Sequence, residues 1–431
     1  MDSRKPISRR SFIKAAALGA ASTALLAACG STTGGSKASG KLEIFSWWTS
    51  GGEVEALNGL YNVFKSKYPN IEIVNSAIAG GTSSGGDMKA VLQTRMMGGD
   101  PPESFQVHLG GELIDPYLVN NLMEPVDFIY DSEGFRKVFP KGVIDVATYK
   151  GHLYAVPVNI HRANVLWYNT KMLADVGVQP PATWEDFITV AEKFKAKGLP
   201  ALAVAENAPG FYGQVTETMI IQYLGADKFM NLFNGGTSWS EPAIKQGLTM
   251  ALKVLDYANK DYLSTAWGDV NDLMIGQKVA MMVQGDWTPG VFWSKGFKDF
   301  GWADAPGCKD IYQALSDSFG LPKKVKNRDA AIAWLKVCGS KEGQDAFNPA
   351  KGSIPARTDA DVSKYSDYQK WAMKQWTTNK IIPSIVHGSA AKLSFMTDYM
   401  NIINQLAAKK TDVDTTFANL QKAAANANFG K

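Results

Sequence analysis

The sequence predicts an α/β protein built as two lobes, and three observations carry that expectation. From residue 41 to residue 110, strand-like and helix-like segments alternate, the grammar of a parallel sheet with helical crossovers. The apolar pattern changes character at 151–173, as if the chain left one sheet for another. A length of 431 residues is also about twice what one hydrophobic core normally serves.

The elements can be justified in order. "KLEIFSW" (41–47) reads as a strand, with Leu42 and Ile44 alternating against Glu43. Val54, Leu57, Leu60, Tyr61, Phe64 and Tyr68 then form one helical stripe that Pro69 ends. "IEIVNSAI" (71–78) is a second strand, "GGTSSGGD" (80–87) a polar loop, "MKAVLQTRMM" a helix and "SFQVHLG" (104–110) a third strand. "GHLYAVPVNIHRANVLWYNTKML" (151–173) is extended and apolar but interrupted by Pro157, which suits a passage between sheets. Thr183 precedes two acidic residues and an apolar stripe through Trp184, Phe187, Ile188, Ala191 and Phe194, so it is the expected N-cap of that helix. Residues 210–300 read mainly as helices, with a strand and turn at 278–290. Residues 314–322 read as one strand, "NRDAAIAWLKVCGS" as a helix and 360–428 as largely helical.

Charge narrows the partners. The chain has 45 Lys and Arg against 41 Asp and Glu, and five of those bases and one of the acids lie in residues 1–28. The remainder holds 40 of each, with no basic excess to draw nucleic acid or a membrane surface. Residues 1–28 themselves read as an export signal. Arg9 and Arg10 precede an apolar run too short to span a bilayer, and "LAAC" (26–29) closes it with small residues before a cysteine. This resembles a twin-arginine lipoprotein signal, which implies cleavage before Cys29 and a lipid on its sulfur. Residues 29–40 then form a Gly/Ser/Thr-rich tether, and the protein is expected to be exported, at the cell surface or in a periplasm, anchored through Cys29. Cys308 and Cys338 remain. An even pair in an exported chain predicts one disulfide, with two independent buried thiols as the alternative.

Catalytic templates are missing. His108, His152, His161 and His387 show no metal-binding spacing, and the chain lacks C-x-x-C and G-x-S-x-G. "GSKASGK" (35–41) begins like a phosphate loop, but Leu42 stands where Ser or Thr is required and no strand precedes it. No metal or other cofactor is expected. What recurs instead is polar or charged residues beside aromatics near strand ends: Trp47, Trp48 and Glu53; Gln106 and His108; Asp286 and Trp287; Asp317; Lys351; His387. Sugar recognition needs that mixture, with aromatic planes for C–H faces and ionic or amide groups for hydroxyls.

Those residues sit in stretches that resemble a known family. "KLEIFSWW", "GGDPPESFQVH", "YAVPVNIHRANVLWYN", "PPATWEDF", "GDW", "LSDSFGLPK", "GSKEGQDAFNPAKGSIPAR" and "VHG" are similar to extracellular solute-binding lipoproteins of ATP-driven sugar importers, of the maltose-binding type. "SWW", "QVH" and "NPAKGSIPAR" with "VHG" resemble the glucose/mannose-binding branch in particular. The resemblance implies a two-lobe periplasmic-binding-protein fold with a ligand cleft and three hinge crossovers, near Pro157, Trp302 and Ile354. It implies one lobe of residues 41–156 plus 303–352 and another of 157–302 plus 353–431. It also implies sugar contacts from Trp47, Trp48, Glu53, Gln106, His108, Asp317, Lys351 and His387, with Trp267 and Trp287 as the second lobe's aromatic wall. The expected function is that of a monomeric, non-catalytic receptor that captures a monosaccharide, glucose or else mannose or galactose, and delivers it to a membrane permease of the ATP-binding-cassette type. An oligosaccharide receptor of the same fold is the nearest alternative. A secreted glycoside hydrolase using Glu53 and Asp317, and a peptide- or metal-binding lipoprotein, are more distant ones.

Overall fold

The computed structural model of the protein describes residues 39–78 and 86–429. The expected signal, Cys29 and the tether as far as residue 38 fall outside them, as do residues 80–85 of the loop expected at 80–87, whose last two residues begin the helix Gly86–Gly98.

The largest sheet has five strands in the spatial order Ile71–Asn75, Gly40–Phe45, Ser104–His108, Asp317–Gly320 and Ala155–Pro157. Its first three strands are parallel, as the alternation of strands and helices requires, whereas Asp317–Gly320 runs antiparallel to both of its neighbours. A second sheet orders Phe300–Asp304, Val165–Asn169 and Met281–Gln284, and a third orders Lys380–Pro383, Ile311–Leu315 and His161–Arg162. Two hydrophobic clusters accompany these sheets. One gathers Leu42, Ile44, Phe105, Val107, Phe319 and Trp334 around the five-stranded sheet, and the other gathers Trp184, Phe187, Phe194, Tyr212, Ile220 and Ile403.

The chain passes between the large sheet and the third sheet at two adjacent places, 157–161 and 315–317. These passages are laced together. Val158 N–H donates to the Asp317 carbonyl, Ser316 Oγ donates to the Asn159 carbonyl, and Asn159 Oδ1 accepts from Asp317 N–H at 2.8 Å. A third segment joins them where Ile160 and Ile354 exchange backbone hydrogen bonds.

Several expectations change. The single strand expected at 314–322 is two, broken at Ser316 because the chain there changes sheets. Trp302 is not a crossover residue: it lies mid-strand, register-paired with Trp167, and the middle passage comes at Ser316. The C-terminal region is largely helical as expected, and Lys380–Pro383 adds a strand to the third sheet that the sequence pattern did not show. Cys308 and Cys338 are both free and buried, one in each hydrophobic cluster, so no disulfide joins them. Each serves as a small apolar core side chain, which an even cysteine count cannot reveal. Thr183 does cap the helix Trp184–Ala196, in a reciprocal capping box with Asp186.

The helix Gly51–Lys67 packs on the helix Lys341–Lys351 through glycines. A Cβ at Gly52 would lie 2.6 Å from the Ala350 carbonyl oxygen, and one at Gly59 would lie 2.6 Å from that of Ala346. Helix propensity favours Gly59→Ala by about 1 kcal/mol, but the inserted methyl must separate two packed backbones, which costs roughly 1–3 kcal/mol. Packing wins. Gly59→Ala is expected to lower the urea midpoint, while Gly142→Ala, at a helical position with nothing within 4 Å of the new Cβ, should leave it unchanged or raise it.

Candidate functional site

Around the crossing segments lies a cavity of about 380 Å³. His108 and Asp317 line it from strands of the large sheet and Trp47 from just past the end of another, Glu53 and Lys351 from helices, His161 from the third sheet, and Trp267, Asn271, Trp287 and His387 from helices and turns beyond.

Strand alternation sets the floor. In Ser104–His108, Phe105 and Val107 point into the core, so Gln106 and His108 share the opposite face. Asp317 is the register partner of His108 across the antiparallel pair and joins that face. Its carboxylate is then surrounded. Oδ1 accepts from Gln106 Nε2 at 2.8 Å and lies 3.5 Å from His108 Nε2, while Oδ2 accepts from Asn159 Nδ2 at 2.8 Å and lies 3.1 Å from His161 Nε2. The other ring nitrogen of His161 bonds Asp286, whose second oxygen accepts from Arg162 N–H. Two carboxylates thus flank one imidazole, all three buried.

The electrostatics follow from that row. Burial pushes Asp317 up, but the hydrogen bond and charge of His161, with the charges of His108 and Lys351, outweigh it and hold the carboxyl well below the usual range. Burial pushes His161 down, but Asp286 and Asp317 overcome it and raise it, so the ring is a cation. His387 has the opposite fate. Burial, then His108, Lys89 and His161, depress it well below the ordinary value, so this ring is neutral. Behind His108, Glu112 Oε2 lies 2.8 Å from Nδ1 and accepts from Lys89 Nζ at 2.7 Å. Burial opposes that charge too, yet Lys89 and His108 bring Glu112 down to about 2.

One wall is an ion pair between helix ends. Glu53 lies in the first turn of Gly51–Lys67 and Lys351 ends Lys341–Lys351, each where the helix dipole favours its sign. Lys351 Nζ donates to Glu53 Oε1 at 2.7 Å, with both residues buried. The ammonium also lies 5.6 Å from the Trp48 ring centroid. Aromatic planes complete the enclosure. Trp47 meets the His108 ring edge-on at 5.0 Å, Trp287 lies 5.2 Å from His387, and Phe211 stacks on Trp267 at 6.0 Å. Gly285 is required beneath Trp287, since a Cβ there would come within 2.3 Å of the indole.

Eight of the ten residues expected at the site line the cavity: Trp47, Glu53, His108, Trp267, Trp287, Asp317, Lys351 and His387. Trp48 and Gln106 do not. Neighbouring side chains of an extended segment face opposite ways, so Trp48 packs between Phe319 and Phe347 and reaches the site only through the Lys351 ammonium. Gln106 is a brace whose amide spans Trp47 N–H and Asp317. His161, Asn271, Phe211 and Glu112 were not foreseen as part of the site. His161 carried a signal, a histidine just past Pro157 in an apolar run, and Asp286 stood out beside Trp287, but only the fold pairs them. Asn271 carried none; its Oδ1 is buried without a partner among the described residues.

No group of three or more His, Cys, Asp or Glu among the described residues is placed to hold a metal. Asp317 is held ionised by its donors, whereas acid catalysis of glycosidic cleavage needs a protonated carboxyl.

A cavity lined from several sheets and helices and crossed by adjoining strands fits the plan of a solute receptor with the periplasmic-binding-protein fold. Residues 48–345 match the model of the bacterial extracellular solute-binding protein family, and the chain belongs to that family. An uncharacterized ABC transporter extracellular-binding protein of Pyrococcus horikoshii is 38% identical over 377 residues, 86% of this chain and 84% of that one. A probable sugar-binding periplasmic protein of Brucella suis is 29% identical over 389 residues, covering 88% and 90%. Among solved structures, the bacterial solute receptor AcbH, described as exclusively preferring β-D-galactopyranose, superposes with a TM-score of 0.78 at 21% identity over 90% of this chain and 98% of its own. The protein is a receptor rather than an enzyme.

The Asp317 row fixes a pH signature. A carboxyl held below its unfolded value stabilises the fold above about pH 4 and loses that contribution as acid protonates it. Asp317→Asn, which leaves the His161 cation facing an amide, is expected to cost roughly 3–5 kcal/mol at pH 7. The gap from the wild type should narrow as pH falls below about 4, read by urea denaturation at a series of pH values.

Proposed function

We propose that the protein is the substrate-binding component of an ABC importer for sugars, and that its ligand is a monosaccharide, glucose or a near stereoisomer such as mannose or galactose. One observation carries this reading: indole planes and ion-paired or amide groups face each other across a cavity of about 380 Å³. That volume is at the small end for ligand pockets, which favours a single ring over an oligosaccharide. Aromatic faces suit the C–H surfaces of a pyranose, and each charge-assisted hydrogen bond to a hydroxyl contributes about 1.5–3 kcal/mol. The sugar-binding names of the relative from Brucella suis and of AcbH point the same way.

Asp317 has little spare accepting capacity. A ligand hydroxyl gains it by displacing the loosest of its four partners, the 3.5 Å contact with His108. The Glu53–Lys351 pair offers an acceptor and a donor on neighbouring atoms, suited to vicinal hydroxyls. Asn271 Oδ1 supplies a further acceptor.

In this reading the bodies on either side of the cavity close by bending at 157–161, 315–317 and the Ile354 bridge, and the closed form docks on a membrane permease. Ligand shifts the open–closed balance by its differential affinity for the two states, so both walls contribute. Calorimetric titration of the exported form with glucose, mannose and galactose tests the ligand class. Saturable binding of at least one is expected, and heat only with longer saccharides would overturn it. Lys351→Met should weaken binding roughly 10- to 100-fold, the worth of one charged hydrogen bond. Lys410→Met, on the exposed surface, should change nothing.

A further inference from the structure

Glu217 lies in the helix Phe211–Leu224, is wholly buried, and belongs to none of the walls described above. It organises the turn that carries His387. Its Oε2 accepts from Ile385 N–H at 3.0 Å and from the Gln313 side-chain amide, and its Oε1 accepts from Val386 N–H at 2.9 Å and lies 3.4 Å from Ser384 Oγ. Ser384 Oγ in turn lies 2.8 Å from His387 Nδ1. Among the described residues no other hydrogen bond to the His387 ring is present, and the ring lines the cavity.

A hydroxyl has a single proton to give. Placed between a carboxylate and a neutral imidazole, Ser384 directs it to the carboxylate, the stronger acceptor. Its oxygen must then accept from His387, which requires the proton of that ring on Nδ1 and leaves Nε2 a bare lone pair. Burial raises Glu217 to about 7 even though three further donors, two of them backbone N–H groups, lower it, so the carboxylate prevails above that value.

We infer that Glu217 and Ser384 are positioning residues for the binding site: they fix the tautomer of His387 so that Nε2 faces the cavity as a hydrogen-bond acceptor. The ligand group opposite it must therefore be a donor, a free hydroxyl rather than an ether or ring oxygen. This rests on the monosaccharide reading only for the identity of the ligand. The tautomer itself belongs to the free protein.

The experiment is side-chain ¹⁵N NMR of the ligand-free protein at pH 8, above the Glu217 value, with the His387 signal assigned by its loss in His387→Gln. The wild type should show Nδ1 protonated and Nε2 bare. Ser384→Ala removes the relay while keeping the backbone contacts of Glu217, and should move the His387 proton to Nε2 without a large change in melting temperature. Ser384→Thr, which keeps the hydroxyl, should preserve the wild-type signature. Glucose affinity should fall about tenfold in Ser384→Ala and stay within about twofold in Ser384→Thr, the worth of one neutral hydrogen bond. A wild-type proton on Nε2, or an unchanged tautomer in Ser384→Ala, overturns the inference. A wild type that binds no monosaccharide refutes the ligand reading, and the NMR result then decides the relay by itself.

Discussion

A buried row of alternating charge, Asp286, His161, Asp317, is what the rest of this structure leans on. A lone carboxylate in such a place would carry a desolvation cost of several kcal/mol and would take up a proton instead. Here Asp317 accepts from Gln106, Asn159 and His161, with His108 Nε2 3.5 Å away, so the charge survives and these partners are fixed by it. They come from three parts of the chain: Gln106 and His108 from one strand, Asn159 from a crossing segment, and His161 from the start of the third sheet. One carboxylate therefore ties the floor of the cavity to the place where the chain passes between sheets.

The same economy appears in the histidines. Three imidazoles face one cavity, yet their surroundings give them different work. His161, held between two carboxylates, is a cation that completes the floor. His387, beside a serine hydroxyl and near other positive groups, is neutral. His108 is held by Glu112, whose own charge is balanced by Lys89. Environment rather than residue type assigns each role.

Close backbone approach sets the shape of the site. Glycines bring the helix that carries Glu53 against the helix that ends in Lys351, and this is what allows a short ion pair between opposite helix ends. Trp48, turned inward, backs the ammonium with its ring. Trp47, its neighbour, is left to face the cavity, its backbone N–H pinned by Gln106. Two adjacent tryptophans therefore act in sequence rather than together, one behind the charge and one in front of it.

The sequence alone determined what local pattern can encode. Alternation marked the strands at 41–47 and 104–110, a stripe marked the helix ending before Pro69, a cap marked Thr183, and aromatics beside charges marked seven residues of the cavity wall, to which the family resemblance added Trp267. A residue's periodicity reports which face of its own element it occupies, and nothing more. Which element lies across from that face is a non-local fact, and there the tertiary structure decided. It placed Trp48 and Gln106 behind the wall, joined His161 to Asp286 across 125 residues, put Cys308 and Cys338 in separate cores, and broke the strand at Ser316 where the chain changes sheets. Partners so distant along the chain share no local signal, because their contact exists only once the intervening segments have packed.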